Sequence, residues 1–208
     1  TTRFLRQRDY SPVDPMKHID WKATARKQRL QTKVFEPVVS LNVLIALNAA
    51  TSEYAWQGSN RRFFERAVTA AASVASDADR HGYTYGLVSN AVASYSGKWL
   101  SVPMGASSSQ LSMILESLAM AGPYVVTPLT EVLKGERASL PSGTTVVLVT
   151  SILTRAMATE INLIKDSGYQ IRVLYTGDQA PSIEMPGVSV VRLGRILETQ
   201  VDYEPAMA

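Results

Sequence analysis

Nucleophilic or general-base chemistry in this chain has only two histidines to draw on, His18 and His81, and no cysteine at all. A hydrolytic triad needs a histidine held between a serine and an acid. His81 falls at the expected end of a helix, where the ring faces solvent and the helix dipole. His18 lies beside Ile19-Asp20-Trp21, a more specific setting, but no Gly-x-Ser-x-Gly elbow accompanies it. There is no Gly-x-x-x-x-Gly-Lys-[Ser/Thr] loop to cradle nucleotide phosphates and no His-Glu-x-x-His zinc spacing. Without cysteine, disulfides, thiol nucleophiles and thiolate-bound zinc are excluded. The residue types therefore predict no enzyme, a hydrolase with an unrecognised site being the residual catalytic alternative.

Charge offers a different chemistry. The first 33 residues hold Arg3, Arg6, Arg8, Lys17, Lys22, Arg26, Lys27, Arg29 and Lys33 against Asp9, Asp14 and Asp20. A basic end of this kind suits phosphate, an acidic partner or anionic lipid, or is a solvated flank paired with its own carboxylates. The net charge of the whole chain is only +3, which does not by itself point to nucleic acid, and none is expected as a partner.

The elements that must position these groups follow from periodicity. Residues 1–29 have no clean period and read as an ordered leader with turns around Pro12 and Pro15. Leu30 to Phe35 alternates as a half-buried strand, and Leu41 to Leu47 is a continuous apolar run suited to a strand covered on both faces. Gly58 to His81 carries apolar residues at helical spacing, with Ser59 or Asn60 as a cap and Gly82 as the stop. Tyr83 to Asn90 reads as a strand and Ala91 to Val102 as a polar hairpin or loop. A helix is expected over Ser107 to Ala121, capped by its serines and ended by Gly122-Pro123. Pro128 to Leu133 is a short helix, Thr144 to Thr150 a buried strand, and Arg155 to Ser167 a helix. Ile171 to Tyr175 and Val188 to Leu193 are the last strands. Buried strands alternating with amphipathic helices predict a Rossmann-like α/β sheet with helices on both faces. One domain over residues 1–208 is expected, a basic irregular leader at 1–29 preceding an α/β core at 30–200. No apolar run reaches the roughly 20 residues needed to span a bilayer.

The run Arg8-Asp9-Tyr10-Ser11-Pro12-Val13-Asp14, then Ile19-Asp20-Trp21 with Ala25-Arg26, then Lys33-Val34-Phe35-Glu36 ahead of the apolar strand, resembles the bacterial family known as domain of unknown function 58. Tyr10, Asp14, Asp20, Trp21 and Arg26 stand at its motif positions, and Val13 replaces the glycine common there. Trp21 is expected to bury its ring against the sheet edge, and Asp20 and Arg26 to pair and pin the leader. The resemblance implies a von Willebrand factor A (vWA) type fold, mostly parallel. It implies a protein partner, a MoxR-type AAA+ ATPase, in assembly or activation of other complexes. It also implies the cytoplasmic face of a membrane, through an N-terminal anchor absent from this chain.

The same resemblance implies a divalent cation beyond the strands' carboxyl ends, held by Asp-x-Ser-x-Ser, a second-loop hydroxyl and a third-loop acid. Here the first set reads Asn48-Ala49-Ala50-Thr51-Ser52, the middle loop offers Ser107 with its neighbours, and Thr150-Ser151 stands at the third. Asn48, Ser52, Ser107 and Ser151 are thus a degenerate metal set, with Glu53 a nearby acid. A hard cation wants carboxylates to offset its dehydration. No cofactor is therefore expected, and Mg²⁺ at a non-acidic adhesion site is the alternative.

Overall fold

The computed structural model describes residues 2–11, 14, 16–37, 41–93, 99–125, 127–181 and 183–194. Val13, with Pro12 and Pro15, lies outside them, as does the expected end of the core at 195–200. The chain divides into two compact units, residues 1–40 and 41–208.

The first unit is more regular than its sequence suggests. Strand β1 (Thr2–Asp9) pairs antiparallel with β2 (Gln31–Pro37), Asp9 opposite Gln31. Between them run a 3₁₀ turn (Met16–His18) and helix α1 (Trp21–Lys27), which ends on Gln28 in the left-handed region at φ 50°. Asp20 caps α1 by accepting the Ala23 N–H at 3.1 Å. Buried Gln31 donates to the Asp9 carboxylate, which ties the two strands together where the connecting segment leaves and rejoins them. The strand expected over residues 30–35 thus forms, with β1 as its partner.

In the second unit, β3 (Asn42–Leu47) lies at the centre of a sheet ordered β5-β4-β3-β7-β8-β9. The remaining strands are β4 (Thr84–Ala93), β5 (Trp99–Gly105), β6 (Ala121–Val125), β7 (Thr144–Thr150), β8 (Gln170–Tyr175) and β9 (Ser189–Arg192). Strands β3, β4, β7, β8 and β9 run parallel, while β5 and β6 pair antiparallel with β4. The helices are α2 (Arg61–Arg80), α3 (Gln110–Ala119), α4 (Leu129–Arg137) and α5 (Arg155–Asp166).

Alternation along β3 sorts the core into two layers. Val43, Ile45 and Leu47 pack with the alanine face of α2 (Ala67, Ala71, Ala75 and Ala78) and with Ile114 and Leu118 of α3. Leu44 and Ala46 point the other way, onto Val132 and Leu133 of α4 and Met157, Ile161 and Ile164 of α5. This is the three-layer sheet that periodicity predicts.

Of the hairpin or loop expected over Ala91 to Val102, the hairpin forms, its antiparallel arms being the end of β4 and the edge strand β5. Two local expectations are corrected. Gly122-Pro123 does not simply stop a helix, because it lies inside β6. Ser109 does occupy the N-cap of α3, yet no serine side chain caps that helix; Ser107 and Ser109 hydroxyls lie 3.2 Å apart instead.

Candidate functional site

Leu47 pairs with Ser89 on one side and Val149 on the other. The next residue on each strand, Asn48, Asn90 and Thr150, therefore meets its neighbours at the carboxyl edge of the sheet, where open α/β sheets bind ligands. All three are buried.

Backbone donors orient their amides. The Ala49 N–H donates to Asn90 Oδ1 at 2.8 Å, so Asn90 Nδ2 faces Asn48 Oδ1, 3.1 Å away. Asn48 Oδ1 also accepts the Ala50 N–H at 3.1 Å, which fills both of its acceptor positions. Asn48 Nδ2 then donates to Thr150 Oγ1 at 3.0 Å, and Thr150 passes its own proton to the Ile152 carbonyl at 2.6 Å. Hydrogen bonds run in one direction through the three side chains and end on a backbone carbonyl. The floor is neutral and closed.

Above this floor lies a cleft of about 1200 Å³. Thr51 and Ser52 form one wall, with Ser52 Oγ donating to Gly58 O at 2.6 Å and Thr51 Oγ1 accepting the Asn60 N–H at 2.7 Å. Thr127 and Thr130, at the start of α4, form a second wall. Thr154, which caps α5 by accepting the Met157 N–H at 3.3 Å, forms the third with Arg155. Exposed Tyr54 and Tyr124 stand on the rim, and Tyr54 stacks on Trp56 with ring centroids 6.0 Å apart.

Of the degenerate metal set, Asn48 and Ser52 line this cleft. Ser151 lies beside it, its hydroxyl 3.5 Å from the Ala50 carbonyl. Ser107 does not join them. Strand β5 runs antiparallel to β4, with Gly105 opposite Tyr85, so Ser107 follows β5 at the amino ends of the parallel strands. The hydroxyl residue that lines the cleft where Ser107 was expected is Thr127, and its signal was a threonine before Pro128 at a helix start. Asn90 was also missed, though Ser89-Asn90 is a polar pair directly after the apolar run of β4, at the point where its pairing with β3 ends.

The donor set does not fit a hard cation. Asn48 presents no free lone pair, and Thr150 Oγ1 already receives the Ile152 N–H at 3.3 Å and Asn48. Glu53, exposed on the wall, is the sole acid among the described lining residues. No group of three or more His, Asp or Glu side chains is placed to hold a metal among the described residues.

The motif residues all fall in the first unit. Asp14 accepts from Arg8 Nη2 at 2.6 Å and from the Ser11 N–H at 3.0 Å. Tyr10 donates its N–H to the Leu30 carbonyl at 2.8 Å. Two expectations are overturned. Asp20 does not pair with Arg26, because its carboxylate caps α1, accepts Gln7 Nε2 at 2.9 Å and lies 4.0 Å from Lys33 Nζ. The capping bond from Ala23 is the main cause holding Asp20 below the usual carboxylate range. Trp21 does not bury its ring and is 66% exposed.

Among solved structures, proximal thread matrix protein 1 of the mussel byssus aligns with a TM-score of 0.53 and 14% identity, over 79% of this chain and 47% of that one. A form of it described with a zinc-occupied MIDAS motif aligns at 0.50 and 14% identity, over 79% and 48%. The open conformation of the pilus adhesin SpaC from Lactobacillus rhamnosus GG aligns at 0.50 and 13% identity, over 80% and 29%. These likenesses show the vWA-type fold. The uncharacterized protein YeaD of Bacillus subtilis (strain 168) is 33% identical over 82 residues, which is 39% of this chain and 18% of that protein. The model of the family described as protein of unknown function DUF58 matches residues 6–195, and the chain belongs to that family.

Proposed function

We propose that the second unit is a non-enzymatic interaction domain that docks a partner protein in the cleft beyond β3, β4 and β7 without a bound metal. The closed hydrogen-bond path through Asn48, Asn90 and Thr150 carries this reading. It satisfies internally the groups that would otherwise hold an ion. No histidine lines the cleft, and Glu53 is its sole acid among the described lining residues, so no pair of carboxyl groups stands there for acid–base work. Tyrosine is enriched among the residues that anchor protein interfaces, and exposed Tyr54 and Tyr124 both line this cleft. The family resemblance supplies the partner class, a MoxR-type AAA+ ATPase, with the chain working in assembly or activation of other complexes at the cytoplasmic face of a membrane.

Two measurements test the reading. The chain should capture a MoxR-type ATPase of its own source, and Tyr54→Ala with Tyr124→Ala should weaken capture by at least about tenfold. A blank capture with the intact chain sinks the partnership. Thermal melts in millimolar Mg²⁺, Mn²⁺ or Ca²⁺ should superimpose on the chelator control. An ion at 100 times its dissociation constant adds about 2.7 kcal/mol, or roughly 5–10 °C for a domain of this size. A shift of that order, lost in Ser52→Ala, would establish a metal-dependent site instead.

A further inference from the structure

In the first unit, the Asp20 cap sets the phase of α1. Ala23 turns inward, 7% exposed. At about 100° per residue, the side opposite Ala23 presents Trp21 and Ala25, with Lys22 on one flank and exposed Arg26 further round that same flank. Met16, 71% exposed, and Lys17 precede this face, and Arg29 and Leu30, the latter 45% exposed, follow it. Lys17, Lys22, Arg26 and Arg29 make no ion pair among the described residues. The nearby aspartates are committed elsewhere: Asp9 to Gln31, Asp14 to Arg8, and Asp20 to the cap, Gln7 and Lys33.

This combination discriminates between occupants. A phosphate backbone or an acidic polypeptide would use the cations and leave an indole and a thioether in water. A lipid interface uses both, because indole rings settle at the headgroup level while lysine and arginine reach lipid phosphates. We propose that the outward face of α1, with its flanks, is a peripheral docking surface for anionic lipid. Trp21 enters the headgroup layer, and Lys17, Lys22, Arg26 and Arg29 face the anionic headgroups.

The test is cosedimentation of the 208-residue chain with phosphatidylcholine vesicles, with and without about 30% phosphatidylserine, at about 0.1 M and 0.5 M salt. Each surface cation raises partitioning about fivefold. Binding to the anionic vesicles should therefore exceed binding to neutral ones by at least about tenfold and fall at high salt. Lys22→Glu, a change of two charges, should cost about 25-fold by the same reckoning, and Trp21→Ala should weaken binding at unchanged charge. Arg172→Glu, the same charge change on an exposed residue of the second unit, should leave binding intact. Tryptophan emission should shift to the blue on anionic vesicles and stay put in Trp21→Phe, which keeps Trp56 and Trp99. Three results would overturn the proposal: no preference for anionic vesicles, an equal loss in Arg172→Glu, or binding to heparin or polyglutamate with none to vesicles.

Discussion

Burial of Tyr85, together with its phenolic O–H donating to Asp79 Oδ1 at 2.8 Å, pushes its ionisation from 10.0 up to about 12. A pKa raised on folding contributes stability that is whole below pH 10 and is lost as pH climbs from 10 to about 12. Melting temperature should fall across that window in the wild type. Tyr85→Phe should flatten the fall while lowering the neutral melting temperature through one lost hydrogen bond, about 1 kcal/mol. Thr176 presents the opposite case. Its hydroxyl is fully buried and finds no hydrogen-bond partner among the described residues. Thr176→Val removes that unsatisfied group at nearly constant shape. It should raise stability by about 1 kcal/mol in a urea titration, and a loss would show that the hydroxyl has a use.

At the scale of elements, one side chain secures the antiparallel edge of the sheet. The β4–β5 register slips between Tyr85 and Leu87, and a Cβ at Gly86 would stand 2.8 Å from the Val102 carbonyl. Buried Gln110, at the start of α3, fills the resulting gap by donating to the Tyr85 and Pro103 carbonyls, each at 2.8 Å. Gln110→Ala would strand both acceptors and should cost about 1–3 kcal/mol in chemical denaturation. A smaller loss would mean that water replaces the amide. The same edge explains what sequence could not disclose. Strand β3 was legible because Val43 to Leu47 needs cover on both faces. Strand β5 carries Pro103 and β6 carries Pro123, residues that only edge strands tolerate; β5 alternates only from Trp99 to Pro103, and β6 shows no two-residue period. Strand β1 was hidden among arginines for a related reason: its partner β2, not its own pattern, makes it a strand. Trp21 was misjudged because ring size says nothing of helix phase, which Asp20 sets by capping.

Across the whole molecule, the α/β architecture with helices on both faces could be read from periodicity, since each central strand and each amphipathic helix repeats the same burial logic, while the mostly parallel order came from the family resemblance. The cleft was legible in part. Asn48, Ser52 and Ser151 were placed by the strand ends that precede them. Ser107 was misplaced because the hairpin reading of residues 91–102 was not followed through: its second arm, β5, carries the chain back to the amino ends of the parallel strands. Thr127 and Asn90 became visible only once register aligned three strands. That alignment, in which position 48 meets 90 and 150, is a property of the assembled sheet that no single segment contains.

The central position of β3 also has a temporal meaning. Asn42 finds one neighbour at Thr84 but the other only at Thr144, about 100 residues further along the chain. At ribosomal speeds of about 5–20 residues per second, roughly 5–20 s separate the emergence of this strand from that of its second partner. Through that interval one side of the most apolar strand in the sheet has no native strand to pair with. The nascent chain must wait with its centre half built, and that wait is when this protein is most exposed to mispairing and most in need of a chaperone's cover.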